Sequence, residues 1–281
     1  TPVLISVLPE LVASHMRGPQ IAVSDNAIIV TAANSAGDIF CYSKNIQGNW
    51  KPTSRVNDID TVAKEGLMAL GADGNNSFAV WLDLRDKHNK IFGARSADGG
   101  VTWSKNIMIY TSPDTTVCEC CKPSVIMKGN NVYVMFRNWL NGNRDLYLIQ
   151  SSDEGNSFSE AQKLGKGSWA LNGCPMDGGG LALADNQIVQ TVWRRENKIF
   201  SCEPGKRETE LGEGKSCTIE SVAGKNVFAW TENGEVVVLT AKGERINLGK
   251  GQLPLLKSAD KEHIICIWEN EKQIHRAILD L

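Results

Sequence analysis

No apolar run in the sequence approaches the length of a bilayer span, so nothing in it reads as a membrane-crossing helix. Charge of one sign is also missing. The 30 Lys and Arg stand against 32 Asp and Glu, for a net charge of −2. That balance gives no electrostatic reason to expect nucleic acid or an anionic membrane as a partner. No segment keeps an apolar period of 3.6 residues long enough to require a helix. Tyrosine is scarce: Tyr42, Tyr110, Tyr133 and Tyr147 are the only four in 281 residues. Residue 1 is Thr and no secretion signal is read, which fits a trimmed mature chain. What the sequence does have is 42% hydrophobic residues, enough for a large core, together with 26 glycines and eight cysteines.

The stretch that organises the rest is Ser96-Ala97-Asp98-Gly99-Gly100-Val101-Thr102-Trp103. Its residue types are those of a tight hairpin. Asp98 can accept hydrogen bonds from backbone N–H groups of its own turn, the glycines supply positive φ, and Trp103 packs the returning strand. The pattern recurs at Ser151-Ser152-Asp153-Glu154-Gly155-Asn156-Ser157-Phe158, and more weakly at Ser43-Lys44-Asn45-Ile46-Gln47-Gly48-Asn49-Trp50. The serines lie 53 and 55 residues apart, each with an aromatic seven positions later, which is the signature of a repeat.

Each repeat reads as an apolar strand, a polar turn, a second strand ending near an aromatic, a longer loop and a third strand. The second unit shows it clearly, with Leu67–Leu70, the turn Asp73–Asn76, Phe78–Trp81 and then Ile91-Phe92. The fourth places its turn at Ala184-Asp185-Asn186. The aromatics Trp81, Phe136, Trp193, Trp230 and Trp268 step by 55, 57, 37 and 38 residues. β-Branched and aromatic runs punctuated by Gly, Asn and Asp are strand-and-turn chemistry. Repeats of this length predict an all-β, six-bladed β-propeller of four-stranded antiparallel blades in a single domain. The blades fall at about 10–60, 61–112, 113–165, 166–212, 213–248 and 249–281. The sixth unit stops after its third strand, so Val3-Leu4-Ile5-Ser6-Val7 is expected to complete it and close the ring.

In such blades the loops entering first strands and the loops between second and third strands share one face, opposite the Ser-Asp turns. Function is expected on that shared face. It carries Arg17, Arg85, Arg137, Arg194 and Arg195, a set that suits an anion or an acidic sugar. The carboxylates among these loops, Asp83, Asp86, Glu119 and Asp177, are the acid/base candidates.

The octets resemble the Asp boxes (BNR repeats) of the sialidase superfamily, and Met16-Arg17-Gly18-Pro19 resembles the tripeptide in which sialidases carry a carboxylate-binding arginine. The resemblance implies that Arg17 clamps a substrate carboxylate, with Arg137 and Arg194 or Arg195 as further members and Asp83 or Asp86 as acid/base. It also implies a late tyrosine nucleophile, and none of the four tyrosines stands late in the chain. The Cys-Glu-Cys-Cys-Lys-Pro segment at 118–123 and the Asn-Gly-Cys-Pro-Met-Asp-Gly segment at 172–178 look like a bacterial subgroup of Asp-box proteins.

These two segments supply Cys118, Cys120, Cys121 and Cys174. Disulfides are the plain expectation. A soft-metal site using these thiolates with Met176 and His15 is the alternative, for copper or zinc. Cys41, Cys202 and Cys266 read as packing residues. The sequence therefore predicts an extracytoplasmic, periplasmic or secreted propeller that binds or hydrolyses acidic glycans, with no cofactor. The alternative is a non-enzymatic propeller that holds a soft metal or a protein partner at its Cys/Met/His-lined mouth.

Overall fold

The structure, a computed structural model, describes residues 3–184 and 187–281. Among these residues there is no helix, and therefore none long and apolar enough to cross a membrane. Six antiparallel sheets follow one another in chain order, five of four strands and the last of three. The chain forms two compact units.

The first unit runs to Ala161 and includes Leu171–Met176. Its first sheet is β1 (Gln20–Val23), β2 (Ala27–Ala33), β3 (Ile39–Asn45) and β4 (Ser54–Arg55). The second is β5 (Met68–Asp73), β6 (Asn76–Asp83), β7 (Lys90–Ser96) and β8 (Ile107–Tyr110). β9 (Ser124–Lys128), β10 (Asn131–Arg137) and β11 (Leu146–Ser151) form the third sheet in this unit, while the short β12 (Gln162–Lys163) belongs to the second unit. Alternation along β6 explains how sheets stack. Phe78, Val80 and Leu82 face one way and join Met127, Val132, Val134 and Phe136 of the third sheet. Ala79 and Trp81 face the other way and join Ile29, Ile39 and Cys41 of the first.

The second unit holds Gln162–Ala170 and Asp177–Leu281. Its sheets are β13 (Gly180–Leu183), β14 (Val189–Arg195), β15 (Lys198–Cys202) and β16 (Thr209–Glu213), then β17 (Lys215–Val222), β18 (Lys225–Glu232), β19 (Glu235–Leu239) and β20 (Arg245–Lys250). The last sheet is β21 (Gln252–Ser258), β22 (His263–Asn270) and β23 (Gln273–Asp280). Trp230 fills the space between the first two of these sheets, and Val236, Leu256, Ile264 and Trp268 the space between the last two. Of the turn expected at Ala184-Asp185-Asn186, the last two residues lie outside those described.

Residues 3–7 correct one expectation. They hold no strand, and Val3, Leu4 and Val7 are 73%, 78% and 75% exposed, so the sixth sheet keeps three strands. The chain just after them is tied elsewhere. Leu11 bridges Asn34, Ser35 N donates to Glu10 O at 2.9 Å, and Leu8 packs on Val30, Ala32 and Tyr42 of the first sheet.

The two strong octets form the expected turns. Ser96 Oγ donates to Asp98 Oδ1 at 2.8 Å and accepts from Gly100 N at 2.9 Å, while Asp98 accepts from Thr102 N and Thr102 Oγ1 at 2.9 and 2.6 Å. Ser151, Asp153, Gly155 and Ser157 repeat the arrangement. In the weak copy Asn45 replaces the aspartate, and the buried Ser43 hydroxyl has no partner. Each strong turn also seals its neighbour. Gly155 sits at φ +89°, and a Cβ there would stand 2.2 Å from Phe78 Cε2 of the preceding sheet. Glu154 forms an ion pair with Arg95.

Gly155→Ala should therefore destabilise the protein by about 2 kcal/mol or more, combining backbone strain with a core clash. Urea unfolding checks this, and an unchanged midpoint would contradict the packing described. The Ser151 and Ser157 hydroxyls hold the Asp153 carboxyl down at about 2. A depressed folded-state value stabilises fully above the unfolded value of about 3.9 and is lost as pH falls through the folded one. Between about pH 4 and about pH 2, Asp153→Asn should lose less melting temperature than the parent.

Candidate metal centre

The expected anion-binding arginines are each engaged inside their own unit. Arg17 donates Nε to Glu65 O at 2.6 Å and pairs with its carboxylate at 3.3 Å. Arg85 makes two hydrogen bonds to Asp83, at 2.9 and 3.0 Å, donates to Asn106 at 3.0 Å, and lies 4.0 Å from the Phe92 ring centre. Arg137 is buried and donates Nη1 to Arg144 O at 2.7 Å. In the second unit Arg195 pairs with Glu208 at 2.9 Å over Phe200. Arg194 donates Nε to Glu196 O at 2.5 Å, lies 4.0 Å from Asp177 and stacks near Trp169.

The carboxylate candidates have separate surroundings. Asp83 is fully buried and accepts from Trp81 Nε1 at 2.8 Å as well as from Arg85. Asp86 is exposed beside Lys90 at 2.6 Å. Glu119 is exposed, with Thr116 Oγ1 at 3.4 Å. Asp177 is buried and accepts from Ser216 N at 2.9 Å. Asp83 and Asp177 are thus built into the ends of their sheets.

The cysteine segment is different, because its side chains converge. Its shape follows from a break in register. β9 pairs with β10 up to Ser124 opposite Met135. Continued in step, that ladder would set Cys121 opposite Asn138. Val117 stands there instead, and Cys118 N donates to Arg137 O at 3.1 Å. The residues between are looped out into a tight turn, and three of them are cysteines. Cys118 Sγ lies 3.4 Å from Cys121 Sγ and 3.8 Å from Cys120 Sγ. All three are buried, and their sulfurs lie within 4.8 Å of one another.

The loop after β10 completes the cluster. Asn141 and Gly142 both have positive φ, 51° and 75°, as the turn of a two-residue hairpin requires, and Leu140 and Asn143 bridge across it. The returning chain delivers Arg144, whose guanidinium donates to Cys118 Sγ at 3.0 Å, to Leu171 O at 3.3 Å, and lies 4.5 Å from the Trp139 ring centre. From the segment Leu171–Met176 of the same unit, Met176 packs on the three thiols, and His15 Nε2 lies 3.2 Å from its carbonyl oxygen. Cys174 is exposed.

Two neighbouring thiols, then the Arg144 and Arg137 guanidiniums, favour the thiolate at Cys118 and hold it far below the usual thiol range. Cys120 and Cys121 are pushed up, Cys120 first by its sulfur neighbours and Cys121 first by burial.

The structure shows no disulfide among the described residues. The sulfurs of the loop stand at contact distance, well beyond a bond of about 2.05 Å. Arg144 was not among the candidate residues. The available signal was its place in the loop joining the second and third strands of the blade whose first strand follows the cysteines.

No protein-family model matches the sequence, and no curated protein does. Solved structures do. A BP39L lectin from Burkholderia pseudomallei superposes with a TM-score of 0.63 at 8% identity, over 91% of this chain and 78% of the lectin. A leech intramolecular trans-sialidase gives 0.59 at 9% identity, over 94% and 68%. The NanB sialidase from Streptococcus pneumoniae gives 0.58 at 9% identity, over 98% and 69%. At these identities the likeness concerns fold, and it shows a six-bladed β-propeller of the kind found in sialidases and lectins.

If Arg85 serves the buried Asp83 rather than a ligand, Arg85→Met should cost about 3 kcal/mol of stability, because it leaves a buried carboxylate without its counter-charge. Urea denaturation measures this. A stability equal to the parent's would return Arg85 to the list of ligand-binding candidates.

Proposed function

We propose that this propeller binds a soft metal ion through Cys118, Cys120 and Cys121. The observation that carries the reading is the convergence of three buried sulfurs within 4.8 Å of one another. A thiolate–metal bond of about 2.3 Å sets sulfurs sharing one ion a little under 4 Å apart, close to the 3.4 and 3.8 Å separations here. Thiols need no redox partner to bind a metal, only the loss of their protons, which the Arg144 guanidinium donating to Cys118 favours. The Met176 thioether against the three thiols favours copper(I), since soft thiolate and thioether donors select it, while zinc is the competing ion. Arg144 donates to Cys118 from outside the cluster, offsetting part of the negative charge and fixing the sulfur's direction as outer groups do around metal ligands.

Recognition of acidic glycans is the second reading. The lectin and sialidase neighbours support it, and the turns at Ser96 and Ser151 are read with it as Asp boxes. The arginines that such a site requires are paired with Glu65, Asp83 and Glu208, so the cysteine cluster supports the first reading better.

Reduced protein titrated under anaerobic conditions with copper(I) should take up a single ion and develop the ultraviolet absorption of a copper–thiolate bond. Cys121→Ser should abolish both, with its melting temperature reported alongside. Reduced, folded protein that takes up neither copper(I) nor zinc would end this reading.

A further inference from the structure

The three thiols are buried, with Cys118 0%, Cys121 2% and Cys120 5% exposed, so an ion arriving from water meets no cluster sulfur first. One cysteine of the eight is exposed, and it is Cys174. It lies two residues before Met176, in the segment Leu171–Met176 that belongs to the same compact unit as the cluster. That segment is tied down at both ends. Arg144 Nε donates to Leu171 O at 3.3 Å while the same guanidinium donates to Cys118 Sγ at 3.0 Å. At the other end Met176 takes a left-handed backbone, φ 51°, uncommon outside glycine, and its side chain packs on the buried sulfurs. Its carbonyl oxygen lies 3.2 Å from the exposed His15 ring. One short segment thus carries an exposed thiol and, two residues on, the half-buried thioether that packs on the buried trithiol, and it is held by the arginine that touches the cluster.

We propose that Cys174 is the loading ligand of this site: it takes copper(I) from a soluble donor and passes it, past the Met176 thioether, to Cys118, Cys120 and Cys121. The proposal rests on the thiolate site put forward above and adds the route by which the cargo reaches it. Each step is a ligand exchange without change of oxidation state. The Cys174 thiol gives its proton to water as its sulfur bonds the ion and a donor ligand leaves. A cluster thiolate then bonds the ion, the Cys174–copper bond breaks, and Cys174 takes a proton back from water. Further cluster thiols release their protons as they bind. The thioether suits an intermediate station, because a neutral donor holds copper(I) without adding a charge that would have to be lost again.

The test uses the whole reduced chain without oxygen and copper(I) supplied as its bathocuproine disulfonate complex, whose colour falls as the ion leaves. The parent, Cys174→Ser and Cys121→Ser are compared by stopped flow and by final stoichiometry. Expected is the same single ion bound at equilibrium by the parent and Cys174→Ser, with transfer in the latter slower by about tenfold. Equal transfer rates in the two would overturn the loading role and leave the cluster intact. Loss of the bound ion in Cys174→Ser would also overturn it, making Cys174 a resident ligand. Failure of the parent itself to take copper(I) would reject the thiolate site on which the proposal stands, and would be seen separately from the comparison of rates.

Discussion

Everything in this chain depends on sheets stacking face to face closely enough to bury the aromatic side chains of their second strands. Phe78 shows how tight that constraint is. Its ring lies over Gly93 of its own sheet and Gly155 of the next, where added Cβ atoms would stand 2.5 and 2.2 Å away, and it meets Phe158 edge-on with ring centres 5.8 Å apart. The Ser151-Asp153 turn is the part of the third sheet that brings Gly155 and Phe158 to this contact. Its hydrogen bonds stabilise a hairpin locally, and their larger effect is to hold two residues against a neighbouring sheet.

A scaffold packed this tightly leaves freedom only at the ends of its strands. In the second sheet that freedom is taken up by a small closed device. Trp81 donates its indole N–H to Asp83, Asp83 binds Arg85, and Arg85 covers Phe92. The fifth sheet carries a version of it, with Trp230 donating to Glu232 at 3.1 Å and Arg245 joining the same carboxylate beside the indole. In the fourth, Arg195 covers Phe200 and pairs with Glu208. These arginines engage carboxylates and rings of their own blade ends.

Much of the fold was legible because it is written in side-chain periodicity. The aromatics Trp81, Phe136, Trp193, Trp230 and Trp268, whose steps mark the repeat, each fall in the second strand of a sheet. Residues 3–7 were misread because a short apolar run specifies a strand only where a partner edge is available, and hydrogen bonds at Glu10 and Val12 direct this segment to the first sheet. The site was half legible. The cysteines are conspicuous in the sequence, and Met176 and His15 could be placed beside them by loop order. That Cys118 would meet Arg144 depends on a slip in register between β9 and β10, which no local pattern encodes.

The second and third sheets differ at these blade-end positions. Position for position, the Trp81 and Asp83 of the second sheet become Phe136 and Asn138 in the third. Phenylalanine has no indole N–H to give, and asparagine has no charge with which to hold an arginine, so the closed device cannot form there. Asn138 instead pairs its backbone with Val117, and its side-chain Nδ2 donates to Tyr110 at 2.8 Å. Arg144, from the loop that leads into β11, donates to the Cys118 sulfur at 3.0 Å. A guanidinium facing a thiol favours the thiolate, and two further thiols within 3.8 Å make that charge useful only if something can share it among three sulfurs. A proton can bind one sulfur at a time; a soft cation can bind all three at once. The third blade end thus sets an arginine against a sulfur where the second sets one against a carboxylate.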